Sequence, residues 1–162
     1  MQNLLKTSSD SQSSQNSKFL TKVNPRQRAW IEVDAAAIAA NARNIRNRLE
    51  DRCQLMAVVK ADGYGHGSET VARAALLGGA QSLGVATLFE GIELRESGLR
   101  CPILLLGGLS NSDEFEACLN WEILPTISNF SHASICQNLA EASGKIFNVH
   151  LKIDTGMTRL GC

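Results

Sequence analysis

From Arg28 onward the chain alternates between short apolar runs and helical patterns, and this alternation constrains its fold more than any other feature. "LMAVV" is a fully apolar strand pattern, and "SLGVA", "PILLL" and "EILPTI" follow at intervals filled by amphipathic stretches. Between them, helices are expected near Glu69 to Leu77, Phe89 to Glu96, Asp113 to Leu119 and Ser131 to Glu141. The first, second and fourth are followed by glycine: Gly78 and Gly79, Gly98, and Gly144. Ahead of the first of these strands, "WIEVD" reads as a short strand. Asp34 caps an alanine-rich helix over "AAAIAANARNIRNRL", in which Ile38, Ala42, Ile45 and Leu49 recur at helical spacing. "IFNVHLKID" is expected as a final strand. Strand-then-helix repetition with apolar strands specifies an α/β fold: a parallel sheet covered by helices.

Two architectures satisfy that pattern, a doubly wound open sheet and a (β/α)8 barrel. The open sheet would carry a phosphate fingerprint after its first strand, but "ADGYGHG" has neither GxGxxG spacing nor a GK[ST] ending. A TIM-like barrel is therefore favoured. The chain supplies only about five of the eight βα units such a barrel needs, so the expectation is a partial barrel belonging to a larger protein. Residues 1–25, rich in Ser, Gln and Asn, are expected to form a disordered extension, with residues 26–162 as the barrel portion.

Composition removes several function classes. Sixteen basic and sixteen acidic residues cancel, which gives no electrostatic case for nucleic acid or an anionic membrane surface. No apolar run is long enough to span a bilayer. The five cysteines are scattered and lack CxxC spacing, so neither a disulfide framework nor a structural zinc site is expected, and a reducing cytoplasm is the natural setting.

Chemistry concentrates in two motifs. In "AVVKADGYGHG", alternation along the strand puts Met56, Val58 and Lys60 on one face, with Lys60 at the C-terminal end where barrels hold their reactive groups. Partial loss of water there favours the neutral, nucleophilic amine. Gly63, Gly65 and Gly67 would let backbone N–H groups approach an anion ahead of a helix N-terminus. A lysine beside such a loop suits a phosphorylated aldehyde; equally, spacing alone allows Lys60 to snorkel at a strand end while the glycines only turn the chain. In "HLKIDTGMTRLG", His150, Lys152 and Asp154 alternate onto one face, and Arg159 adds a fork able to hold a carboxylate or phenolic oxygen. Either a structural Lys–Asp–Arg network or a functional one would explain them. His66 is expected to be solvated, His132 to lie on a helix surface and Met157 to pack.

Together, in this order, the two motifs resemble the signatures of the pyridoxal-phosphate-dependent alanine racemases of fold type III, over Trp30 to Cys162. The resemblance implies that Lys60 carries pyridoxal 5'-phosphate covalently and serves as one of two racemising bases. It implies that Tyr64 hydrogen-bonds the cofactor phosphate and that Arg159 holds the phenolic oxygen and the substrate carboxylate. Lys152, carbamylated in some members, would orient Arg159, with His150 and Asp154 in support. It also implies interconversion of L- and D-alanine, supply of D-alanine for peptidoglycan, and a homodimer whose partner's C-terminal β-domain contributes the second base, a tyrosine. That domain is lacking here, so the chain alone is not expected to racemise alanine. A cofactor carrier or homeostasis protein on a similar barrel, a non-catalytic remnant and a fold type III decarboxylase are the alternatives. The carrier and the decarboxylase would share the lysine but not "DTGMTRLG".

Overall fold

The computed structural model describes residues 30–162, so the expectation for residues 1–25 lies outside the described residues. In chain order the elements are α1 (Ala35–Arg46), β1 (Met56–Val58), a turn over Lys60–Gly65, α2 (Ser68–Leu77), β2 (Ser82–Val85), α3 (Leu88–Glu96), β3 (Ile103–Leu105), α4 (Ser112–Asn120), β4 (Ile123–Ile127), α5 (Phe130–Ser143) and β5 (His150–Leu151). All lie in the unit Asp34–Cys162.

The five strands pair in parallel in the order β1-β2-β3-β4-β5. A doubly wound sheet reverses direction at a switch point, whereas strands that pair strictly in chain order belong to a barrel wall. This sheet is therefore five consecutive staves of a TIM-like barrel. Register aligns Ala57, Leu83, Ile103 and Ile123 across the sheet, and Val59, Val85 and Leu105 continue the same face. That face meets the helices and is the core: Leu83, Val85, Ile103, Leu105 and Ile123 are all buried, joined by Phe115 and Cys118 of α4 and Leu94 of α3. The opposite, inner face carries Val58, Gly84, Leu104 and Leu124 in register and is more open, with Val58 exposed.

Helix starts follow local chemistry. Asp34 accepts a bond from the Ala37 N–H at 2.9 Å, as the sequence implies. Thr87 and Asn111 each open a reciprocal capping box, with Glu90 and Glu114 as partners. α1 packs on α2 through small residues, and Gly78 makes that approach possible. Its φ of −78° suits any residue, but a Cβ there would meet the Ala39 carbonyl oxygen and sit 2.6 Å from the Ala42 methyl. Gly78→Ala should thus cost about 1–3 kcal/mol by overpacking alone, measured by urea unfolding; a variant as stable as the parent would show that the helices can separate at no cost.

Two strand expectations change. "WIEVD" forms no strand: Trp30 and Ile31 are exposed, and no described strand pairs with them. The final strand contracts from residues 146–154 to His150–Leu151, the end of the ladder with a neighbour on one side only. No helix among the described residues is long and apolar enough to cross a membrane.

Candidate active site

Lys60 directly follows the last paired residues of β1, and Val59 still donates to the Gly84 carbonyl at 2.8 Å. What comes next is not a simple glycine loop. Ala61, Asp62, Gly63 and Tyr64 have φ between 52° and 60°, a full turn of left-handed helix. For an L-residue this conformation costs about 1–2 kcal/mol, and three of the four are not glycine. Gly63 is required twice over: it is buried, and a Cβ would lie 2.8 Å from Val71 Cγ2.

Such a turn persists only if its surroundings over-determine it. The Gly63 N–H donates to the Val59 carbonyl, and the Gly67 N–H to that of Asp62, each at 2.9 Å. The Asp62 carboxylate accepts the Ser68 N–H at 2.8 Å, capping α2 in place of the side-chainless Gly67. His66, exposed to water as expected, also braces the turn: its Nδ1 lies 3.1 and 3.0 Å from the Gly63 and Tyr64 carbonyls. Ala61 N–H donates to Glu90 Oε1 at 2.8 Å. Because Asp62 already satisfies the first turn of α2, that helix end is less open to an anion than the glycines suggested.

The second motif lies at the other edge of the sheet. His150 pairs in register with Thr126, on the inner face shared with Val58, and the Lys152 N–H extends the ladder to the Ile127 carbonyl. Asp154 departs from the expected stripe: its Oδ1 accepts the N–H groups of Gly156 and Thr158 at 2.9 and 3.0 Å, and its own N–H bonds the Cys162 carbonyl. It organises the turn that carries Arg159. Met157, expected to pack, is exposed at the tip. No ion pair joins Lys152, Asp154 and Arg159 among the described residues, so the structural network does not form here.

The N–H of Thr158, then that of Gly156, hold the Asp154 carboxyl below its ordinary value of 3.8. A depressed folded-state value means that the turn's stabilisation is complete above the unfolded value and is lost only as pH falls through the lower, folded one. Amide shifts of Gly156 and Thr158 should hold steady down to the ordinary aspartate range and move only beneath it; a titration midpoint at or above 3.8 would contradict the geometry.

Lys60 is half-buried, and Tyr64, His150, Lys152 and Arg159 are exposed. None of their side-chain polar groups, including the Lys60 Nζ, has a hydrogen-bond or ionic partner among the described residues. An amine, a phenol, an imidazole, a second amine and a guanidinium, all open, are the donor set a phosphorylated, anionic aldehyde calls for, so the residues fit such a cofactor. Lys60 and His150 lie four interstrand steps apart, about 19 Å along the sheet at about 4.8 Å per step; curvature, not contact, relates them. A cleft of about 870 Å3, lined by Pro102, Ile123 and Val149 at the starts of β3, β4 and β5, takes in His150 alone of the candidate residues. It holds neither Lys60 nor Arg159 and sits at the end of the sheet opposite the lysine.

The remaining singled-out residues are structural. His132, expected at a surface, is half-buried against Phe115 with ring centroids 5.3 Å apart. All five cysteines are free thiols, and burial pushes Cys118 up to about 12. Sequence reasoning missed Asp62 and Glu90; the "TLFE" capping box was the available signal for Glu90.

Residues 33–162 match the family model described as alanine racemase, N-terminal domain. The chain is 59% identical over 143 residues to an alanine racemase of Prochlorococcus marinus, covering 88% of this chain and 37% of that protein. It is 52% identical to an alanine racemase of Synechocystis, covering 84% and 37%. Among solved structures, alanine racemase from Bacillus anthracis, determined with bound L-Ala-P, superposes with a TM-score of 0.74 at 33% identity, over 82% of this chain and 34% of that one. The E. faecalis alanine racemase gives 0.68 at 37% identity, over 80% and 35%. The chain thus spans about 37% of the length of these curated relatives.

Proposed function

Because this chain belongs to the alanine racemase N-terminal domain family, we propose that it provides the cofactor-bearing part of an enzyme interconverting L- and D-alanine. The observation that most supports this reading is Lys60: a half-buried amine, without a partner among the described residues, at the C-terminal end of a parallel strand. Pyridoxal 5'-phosphate, when bound, supplies an aldehyde for covalent attachment and a ring that takes up the electron pair left by a departing α-proton.

The chain's own residues then divide the work. Lys60 Nζ would hold the cofactor and, once alanine displaces it, remove or return the proton at the α-carbon from one side. Tyr64 Oη would donate to the phosphate from the rigid left-handed turn. Arg159 would bind the phenolic oxygen and the alanine carboxylate, oriented by Lys152 with His150 nearby, and Asp154 would hold the turn on which Arg159 rides. Inversion needs a second proton donor and acceptor on the other side. The single tyrosine, Tyr64, is assigned to the phosphate, so we assign that role to the partner subunit of a homodimer. The D-alanine formed would serve peptidoglycan synthesis, in the cytoplasm.

Incubation with pyridoxal 5'-phosphate, reduction with borohydride and peptide mapping test the reading. A pyridoxyl adduct on Lys60 is expected; no adduct, or one spread evenly over the lysines, would falsify it.

A further inference from the structure

We propose that Glu90 is the positioning residue for Lys60, an inference that rests on the function proposed above and adds a residue to it. In an ordinary capping box the glutamate carboxylate serves the amide at the helix's own start. Glu90 does this with one oxygen: Oε2 accepts the N–H groups of Ala86 and Thr87 at 2.7 and 3.1 Å. Its other oxygen, Oε1, reaches 29 residues back along the sequence to the Ala61 N–H at 2.8 Å. Ala61 is the residue bonded to Lys60 and the first of the left-handed turn.

The molecule contains its own control. Glu114 makes the same box in α4, its Oε2 accepting Ser110 and Asn111 at 2.6 and 3.3 Å, and its Oε1 bonds no other described residue. The contact to Ala61 is therefore not a by-product of capping. One carboxylate ties three amides: the exit of β2, the start of α3 and the peptide that follows the reactive lysine. Since Ala61 adopts φ 52°, which L-residues avoid, loss of that tie lets the backbone after Lys60 relax toward ordinary dihedrals and turns the lysine stem away from its place on the inner face.

Glu90→Gln and Thr87→Ala separate positioning from helix stability. The first replaces one acceptor oxygen by an NH2 group, which cannot accept from a backbone N–H. The second removes the reciprocal half of the box and leaves Ala61 untouched. Each variant, the parent and Lys60→Ala are treated with sub-saturating pyridoxal 5'-phosphate, reduced and mapped, with helicity followed by circular dichroism and Ala61 amide exchange by NMR. Glu90→Gln should lower the rate of Lys60 labelling about tenfold at unchanged helicity and accelerate Ala61 exchange, while Thr87→Ala labels as the parent does. Labelling of Glu90→Gln at the parental rate while Ala61 exchange is accelerated overturns the proposal and leaves the function standing. Equal loss in Thr87→Ala also overturns it, because helix stability alone would then be responsible. Parental labelling no more selective for Lys60 than for other lysines overturns the function itself, and Glu90's role with it. Should Glu90→Gln lose its helical signal, or keep parental Ala61 exchange because its remaining oxygen stays on the Ala61 N–H, Glu90→Asp, which keeps the charge but is shorter by one methylene, takes its place under the same readings.

Discussion

Lys60→Ala abolishes the pyridoxyl adduct and, in a polypeptide extended to the length of the relatives, lowers alanine racemisation by about 10²- to 10⁴-fold, the usual worth of a positioned acid or base. The size follows from the lack of any substitute. Ala61 next to it has no amine, and Lys152, the other lysine of the two motifs, lies on β5's continuation at the far edge of the sheet. A factor of 10³ is about 4 kcal/mol of barrier. The substitution should leave folding intact, because the Lys60 Nζ bonds nothing among the described residues and the turn is held by Asp62, His66 and Glu90 instead. Racemisation within tenfold of the parent, in a variant with no adduct at residue 60, would remove Lys60 from the chemistry.

The second large effect concerns stability. Arg95 of α3 is buried, and its guanidinium donates to four backbone carbonyls: Trp121 at 3.0 Å, Leu99 at 2.9 Å, Cys101 at 2.8 Å and Glu122 at 2.8 Å. Desolvation by burial presses its pKa downward, with Cys101 and Glu122 opposing that shift. These carbonyls belong to the turns that lead into β3 and β4, and Glu122 itself has φ 54°. Arg95→Met keeps much of the stem's packing but removes the donor shared by all four carbonyls, of which the Leu99 carbonyl alone keeps a side-chain bond, from Arg100 Nη1 at 3.3 Å. The expected loss is about 3–5 kcal/mol, a large share of the roughly 5–15 kcal/mol that holds a domain together. Thermal and urea unfolding would measure it; a loss below about 1 kcal/mol would mean that water satisfies those carbonyls and that the arginine is not their support.

Alternation of apolar runs with amphipathic stretches made the sheet and its helices readable, because a parallel strand covered on both faces has no polar positions to blur its pattern. Strand order was readable only indirectly, through the missing phosphate fingerprint that favoured a barrel over a doubly wound sheet, since the strands' own residues do not name their neighbours. "WIEVD" shows the limit: its residues favour an extended chain, yet without a pairing neighbour extended propensity gives no strand. The left-handed turn escaped for a different reason. Glycines at 63, 65 and 67 signal positive φ only at themselves, whereas Ala61, Asp62 and Tyr64 are held there by hydrogen bonds from groups 2 to 29 residues away in sequence. Lys60 and Arg159 could be singled out because their residue types sit in distinctive local strings, and their roles are proposals. Glu90 was legible as a cap but not as a tie, since the destination of its spare oxygen exists only once β1 and β2 lie side by side.

The sheet has a geometric corollary for the chemistry. Lys60 ends the first of five parallel strands and His150 begins the last, so β2, β3 and β4 act as a ruler between the two motifs. Gly84 lies in β2, the first strand of that ruler, where a Cβ would press within 3.4 Å of Met56, Val58 and Leu106 on the concave side. Bulk added there would flatten the arc and widen the gap between lysine and arginine, although the altered residue touches neither.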